Sequence, residues 1–216
     1  MQQLLSVSGL GRKVQNRWVW QGLDFDLYPG ERIAVVGASG TGKSLLLRAL
    51  AGLDSVQKGQ IVFQGKVIDS WAMPQYRSQI IYLHQRPALL EGTVAENLRY
   101  IYKFAYHRDK AYNHKQILAY LEILGRNEDF LEFFTGALSG GEAQIVAFLR
   151  ALQLSPLVLL LDEPTASLDT ATSQCLESLV AAWQNENSDR SYIWTSHDPT
   201  QIGRVSDRQI TLSGKN

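Results

Sequence analysis

Residues 37–44 read Gly-Ala-Ser-Gly-Thr-Gly-Lys-Ser and decide the fold, because they fit the spacing G-x-x-x-x-G-K-[ST]. Glycine-permitted turns aim successive backbone N–H groups inward, and a helix starting behind them turns its positive end on the same point. That geometry cradles the phosphates of a nucleoside triphosphate along Gly37, Ala38, Ser39, Gly40, Thr41, Gly42, Lys43, Ser44 and Leu45. Lys43 would reach the β- and γ-phosphates, and the Ser44 hydroxyl would ligate Mg²⁺. The flanks suit the motif. Ile33-Ala34-Val35-Val36 reads as a buried strand leading in, and Leu45 to Leu50 as a helix leading out. A glycine-rich turn without a ligand is the competing reading, and these flanks disfavour it.

A second nucleotide motif lies downstream. Leu157 to Leu161 form an apolar run of strand length that ends in Asp162 and Glu163. A central parallel strand carries such a pair at its carboxyl end, where open α/β sheets hold their ligands. Asp162 there can hold Mg²⁺, and Glu163 can polarise a water aimed at the γ-phosphate. A solvated acidic cap is the alternative for the pair alone.

Composition bounds the rest. The chain has 216 residues, 45% of them hydrophobic and 19% charged, ordinary values for a globular protein with a substantial core. Lysine plus arginine and aspartate plus glutamate number 21 each, which argues against a nucleic-acid partner. Cys175 is the one cysteine and suits a reducing compartment. No apolar run approaches the roughly 18 residues that span a bilayer, and no basic-then-apolar leader opens the sequence. These features predict a soluble, intracellular chain that meets a membrane only through a partner.

Around the two motifs the periodicity changes. Leu4–Val7 and Leu23–Leu27 alternate as half-buried strands, and Gln60–Phe63, Gln64-Gly65 and Lys66–Ile68 read as a hairpin. Gln79–Leu83 is a further strand, ending near Gln85. From about Thr93 to Ser155 the pattern turns helical. Ile117, Tyr120, Leu121 and Leu124 mark one helix face, a helix runs from about Gly140 to Leu154, and a helix across Leu98–Tyr106 would be apolar on nearly every side. Thr170–Gln184 (helix), Ser191–Thr195 and Arg208–Leu212 (strands) complete an α/β order.

Leu138-Ser139-Gly140-Gly141-Glu142 opens one of these helices. Ser139 is a good N-cap, so capping alone could explain it. The glycines just inside the helix are poor helix formers, however, and suggest a close backbone approach to an anion. This pentapeptide resembles the signature of the ATP-binding cassette (ABC) ATPases. Gln85 resembles that family's Q-loop glutamine, Ser167-Leu168-Asp169 its D-loop and His197 its switch histidine, all in the family's order along the whole chain.

The resemblance implies a single nucleotide-binding domain over residues 1–216 with the P-loop NTPase fold of that family. It comprises a RecA-like core, an antiparallel β subdomain and a helical subdomain inserted at about residues 86–155. It implies ATP and Mg²⁺ as cofactors and a head-to-tail pair of cassettes, a homodimer when ATP-bound. Each ATP would lie between the phosphate loop of one copy and Ser139, Gly140 and Gly141 of the other, leaving the monomer nearly inactive. Glu163 would be the general base, and His197 would contact the γ-phosphate and orient it. Gln85 would touch Mg²⁺ and the attacking water, beside Ser44 and Asp162 on the metal, and Asp169 would link the two sites.

Three positions depart from the family pattern. Val14 stands where an aromatic commonly stacks on adenine, and either Trp18 or Trp20 could replace it or simply pack. Weak adenine discrimination is expected. Leu45 replaces a usual threonine and Ile145 a usual arginine, which puts the surface pairing after the signature in doubt.

A single cassette without membrane spans implies a separate integral-membrane permease, with this chain cytoplasmic and peripheral on the inner face of the membrane. The segments Arg86–Leu98 and Leu149–Gln153, with the short tail after Leu212, are similar to the ATPases of bacterial two-component iron-efflux transporters. Lipoprotein-release, amino-acid and phosphate transporter ATPases remain rivals, as does a soluble non-transport switch. The aromatic stretch Leu98–Tyr106 would either pack within the helical subdomain or receive a permease loop helix.

Overall fold

A computed structural model describes residues 2–213; residues 214–216 of the short tail lie outside the described part. Two sheets organise it. The first is antiparallel, in the order β2-β1-β4-β5, from β1 (Leu5–Val14), β2 (Arg17–Leu27), β4 (Lys58–Phe63) and β5 (Lys66–Val67). Gln64 and Gly65 both take positive φ (49° and 74°), the paired left-handed geometry of a tight two-residue hairpin turn. Gln15 and Asn16 (φ 48° and 63°) turn the chain the same way between β1 and β2.

That first ribbon is longer than sequence alternation suggests, reaching Val14 and Arg17 rather than pausing at Val7 and Leu23. Irregularities in its register, between Val7 and Leu10 and again between Leu10 and Lys13, break the period-two pattern there.

The second sheet is parallel, in the order β6-β7-β8-β3-β9. Its strands are β3 (Arg32–Val36), β6 (Ile80–Leu83), β7 (Val158–Asp162), β8 (Ser191–Thr195) and β9 (Arg208–Thr211). β7 is buried throughout and feeds both faces alternately. Val158 and Leu160 pack with Leu46, Leu47 and Leu50 of α1 (Lys43–Leu50) and with the antiparallel sheet. Leu159 and Leu161 pack on the opposite face against α5 (Gly140–Leu152) and α6 (Thr170–Asn185). A strand covered on both sides has no polar face, which is why its sequence is an unbroken apolar run.

Between β6 and β7 the chain forms α3 (Val94–Tyr100), α4 (His114–Ile123) and α5, joined by short 3₁₀ turns. Capping boxes start α3 (Thr93 with Glu96) and α5 (Ser139 with Glu142). α5 stops at Leu152, short of the expected Leu154, and Ser155 turns left-handed (φ 53°) just before Pro156. No single helix spans Leu98–Tyr106. α3 ends at Tyr100, and at Phe104 the backbone is extended (φ −72°, ψ 139°). Only Leu98 and Ile101 of that stretch reach the core, too few inward anchors to hold a continuing helix. Tyr100, Phe104 and Tyr106 stay exposed.

Two short helices, α2 (Met73–Gln79) and α7 (Pro199–Val205), begin with a proline in their first turn and escape the periodicity reading. Among the described residues no helix is long and apolar enough to cross a membrane.

Candidate nucleotide site

The phosphate loop joins β3 to α1 at the carboxyl edge of the parallel sheet. Gly42 precedes α1 with φ 90°, and a Cβ there would stand 2.5 Å from Val19 Cγ1 and 2.8 Å from Trp20 Nε1. Only glycine lets the antiparallel sheet close on the loop this tightly. The Trp20 indole N–H also donates to the Gly42 carbonyl at 3.3 Å. Lys43 folds over the loop, its Nζ 2.9 Å from the Gly37 carbonyl oxygen and 3.3 Å from that of Ala38. Ala38, Ser39 and Gly40 are exposed, Gly37 half-buried and Thr41 buried, its hydroxyl donating to the Ala38 carbonyl at 2.9 Å. The opening amides of α1 have no helical acceptor. A glycine-rich loop running into unpaired helix-start amides, beside an ammonium, is a cradle for phosphate oxygens.

Asp162, at the end of β7, is 3% exposed and collects three hydroxyls. Ser44 Oγ donates to Oδ1 at 3.0 Å, Thr195 Oγ1 stands 3.1 Å from the same oxygen, and the Tyr82 phenol donates to Oδ2 at 2.8 Å. Burial, reinforced by Asp162, pushes the Tyr82 phenol far above its ordinary value, so it remains a donor at neutral pH. Neither Tyr82 nor Thr195 was singled out by sequence. Their signal is a polar side chain near the carboxyl end of a buried strand, and it gains meaning once β6, β7 and β8 are known to be neighbours.

Glu163 follows in a left-handed conformation (φ 45°), with its N–H donating to Thr195 Oγ1 at 2.8 Å. Its Oε1 lies 2.8 Å from His197 Nε2, which in turn is 3.3 Å from Lys43 Nζ. One ring nitrogen cannot serve both neighbours at once: protonated, Nε2 donates to Glu163, and unprotonated it accepts from Lys43. Lys43, Ser44, Asp162, Glu163 and His197 therefore form one cluster. Gln85 lies exposed beyond the end of β6, outside this hydrogen-bond set.

The donor set also fits a magnesium ion. That ion keeps several waters and binds through one or two carboxylates plus substrate phosphates, and an oxygen set of Ser44 and Asp162 beside a phosphate cradle matches this need. No cluster of three or more His, Cys, Asp or Glu side chains that could cage a metal occurs among the described residues.

The signature stands apart. Ser139 caps α5, its Oγ accepting from Glu142 N at 3.2 Å while the Glu142 carboxylate accepts from Ser139 N at 3.0 Å. Ser139 and Gly140 are exposed. Gly141 is closely approached by its own chain, since a Cβ there would meet Leu168 Cδ2 at 3.0 Å. Asp169 caps α6 through Thr172 N (2.9 Å) and Thr172 Oγ1 (2.7 Å), bonds that hold its carboxyl below the usual range. A groove lined by Ser139, Gly141, Ser167 and Asp169 runs between the two segments. Among the described residues no hydrogen bond links this groove to the phosphate loop.

Two of the three departures, Leu45 and Ile145, are packing positions, and Val14 is not. Trp20 is buried under the loop, and Trp18 is half-buried beside Gly11 with Lys13 and Lys58 over its ring, their Nζ atoms 4.5 and 5.1 Å from the centroid. Val14 remains exposed at the ribbon tip, Leu45 packs against the core and Ile145 is buried within it.

Comparison with known proteins agrees with this geometry. The ABC transporter family model matches residues 20–166. The probable iron export ATP-binding protein FetA of Escherichia coli is 31% identical over 209 residues, covering 97% of this chain and 91% of that protein. The Fe(3+) ions import ATP-binding protein FbpC of Yersinia pestis is 32% identical over 211 residues, and the match spans 96% of this chain but only 59% of FbpC. Among solved structures, a bacterial Atm1-family ABC exporter with ATP bound superposes with a TM-score of 0.82 at 28% identity, over 97% of this chain and 36% of the exporter. The chain belongs to the ABC transporter family and is an ATP-binding ATPase subunit of a transporter.

Proposed function

We propose that two copies of this chain close head to tail on two ATP molecules and that this closure, followed by hydrolysis, drives a separate membrane permease. The observation that carries the reading is the split just described. Lys43, Ser44, Asp162, Glu163 and His197 meet at one edge of the sheet, whereas Ser139 and Gly140 are exposed and make no hydrogen bond to that cluster among the described residues. Each half supplies what the other lacks.

In that assembly the loop from Gly37 to Leu45 holds the phosphates through its amides and Lys43. Ser139, Gly140 and Gly141 of the second copy cover the γ-phosphate, and Asp169 connects the two sites. Ser44 and Asp162, joined by Gln85, would hold Mg²⁺, which would supply charge neutralisation for the phosphate oxygens. Glu163 accepts a proton from the attacking water as its oxygen bonds to the γ-phosphorus and the bond to the β-phosphate oxygen breaks. His197 orients Glu163 and contacts the γ-phosphate. Catalysis is positioning and electrostatic stabilisation rather than covalent chemistry.

The partner chemistry follows from surface as well as site. Tyr100, Phe104 and Tyr106 are exposed beside a cavity lined by Leu90, Glu96, Asn97 and Lys103, and we assign this patch to a cytoplasmic segment of the permease. The chain would thereby sit on the inner face of the membrane. Iron efflux is the substrate reading best supported, because the iron-export relative is matched over nearly its full length. Co-expression with a multi-spanning permease encoded beside it should yield a membrane complex whose ATPase is stimulated by ferrous or ferric iron. Phe104→Ser should abolish co-purification while the isolated chain melts as before. Stimulation by another solute would replace the iron assignment, and a chain that never associates with membranes would favour a non-transport switch.

A further inference from the structure

We infer that Thr195 is a positioning residue for hydrolysis, one hydroxyl that fixes the Asp162 carboxylate and aims Glu163 together, with Tyr82 as its counterpart on the other side. The inference rests on the proposed role of Glu163 as the base.

β7 must do two incompatible things at its end. It has to present Asp162 along the strand and then turn at once, so that Glu163 points back toward His197. The turn is made with Glu163 at φ 45°, a region that L-residues avoid. In that conformation the Glu163 N–H leaves the sheet ladder and needs another acceptor. Thr195 provides it at 2.8 Å from the neighbouring strand, where it pairs in register with Asp162. Thr195 is fully buried, so no water competes for its hydroxyl.

A threonine hydroxyl that accepts one bond still has a proton to give. Asp162 Oδ1, at 3.1 Å, is a better acceptor than the Leu161 carbonyl at 3.4 Å, both for distance and for charge. The resulting relay runs from the Glu163 N–H through Thr195 to the Asp162 carboxylate. Rotation of that carboxylate and unwinding of the turn are thus resisted by the same atom. Tyr82, from β6, holds the remaining oxygen Oδ2 at 2.8 Å. Ser44 is the only one of the three donors also proposed as a metal ligand. Thr195 and Tyr82 are therefore the contacts that keep Asp162 oriented when the Ser44 oxygen is engaged elsewhere.

Valine matches threonine in shape but neither accepts nor donates, whereas serine keeps the hydroxyl. In the full-length chain, Thr195→Val should lower kcat about tenfold or more, the scale of hydrogen bonds to charged groups, with KM for ATP within about twofold. Mn²⁺ affinity, read by electron paramagnetic resonance with a non-hydrolysable ATP analogue, should weaken about threefold or more in both Thr195→Val and Tyr82→Phe. Thr195→Ser should restore both readings. The inference is overturned if Thr195→Val turns over normally, if Thr195→Ser is as impaired as the valine, or if the loss of kcat only follows a loss of thermal stability. Glu163→Gln, assayed alongside, separates the two claims. A dead glutamine variant with a normal valine variant sinks only the role of Thr195. A normal glutamine variant removes the base assignment and with it the aiming role, leaving only the hold on Asp162 to be read from Mn²⁺.

Discussion

His197 Nε2 stands 2.8 Å from Glu163 Oε1, although the two residues come from the ends of different strands. The contact exists because β7 and β8 are adjacent and parallel, so their carboxyl ends open at the same edge. Lys43 reaches the same nitrogen from the phosphate loop at 3.3 Å. Whether Nε2 of His197 carries a hydrogen thereby decides whether Glu163 or Lys43 is its partner, which ties the acidic and phosphate-binding halves of the site together.

The closeness of the antiparallel sheet to the loop makes Gly42 unforgiving. Gly42→Ala puts a methyl group 2.5 Å from Val19 Cγ1 on a backbone with φ 90°. A loss of about 2 kcal/mol or more in stability is expected, with nucleotide binding weakened at least tenfold. Gly140 has open space around it, so Gly140→Ala should leave the melting of the isolated chain nearly unchanged. Parallel melts and fluorescent-nucleotide titrations check both.

Acid should weaken the fold through specific pairs. Asp54 accepts two bonds from Arg48 at 2.9 Å with Arg12 at 4.0 Å, and Asp207 is held by Arg32; both carboxyls lie below their usual range because of these guanidinium partners. A depressed folded value means that the stabilisation is whole above the unfolded aspartate value of about 3.9 and drains away as pH falls through the folded one. The Arg48 end is partly exposed, so the Asp54 pair contributes no more than about 1 kcal/mol after solvent screening. Thermal melts between neutral pH and pH 3 should show Asp54→Asn less stable than the parent at neutral pH, the gap narrowing on acidification. A constant gap would locate the effect elsewhere.

Base recognition is expected to be loose. Trp20 is buried under the loop, Trp18 is half-buried with Lys13 and Lys58 over its ring, and Val14, where the resemblance places the adenine-stacking residue, offers a small exposed contact. GTP should compete with ATP within about tenfold, the discrimination of roughly one weak contact. Competition binding that finds a much larger ATP preference would contradict this.

Much of the site was readable because it depends on local chemistry. The loop at 37–44, the apolar β7 with its acidic end and the hairpin at Gln64-Gly65 each carry their geometry in a few adjacent residues. What escaped depends on neighbours that only the fold supplies. Thr195 looks like any strand residue until Asp162 is placed beside it, and Tyr82 until β6 lies against β7. Ile145, read as a surface departure, is 1% exposed because α5 packs on two sides. The aromatic run through Phe104 is open to two readings from sequence, core or surface, and only the fold leaves Tyr100, Phe104 and Tyr106 exposed while Leu98 and Ile101 are buried.

The central claim is that ATP joins two copies of this chain. The most direct measurement is sedimentation of Glu163→Gln with saturating Mg²⁺ and ATP. The expected result is a nucleotide-bound species of twice the 24.2 kDa chain mass that dissociates when ATP is removed. A variant that binds ATP and stays monomeric, or that hydrolyses it at the parent rate, would contradict it.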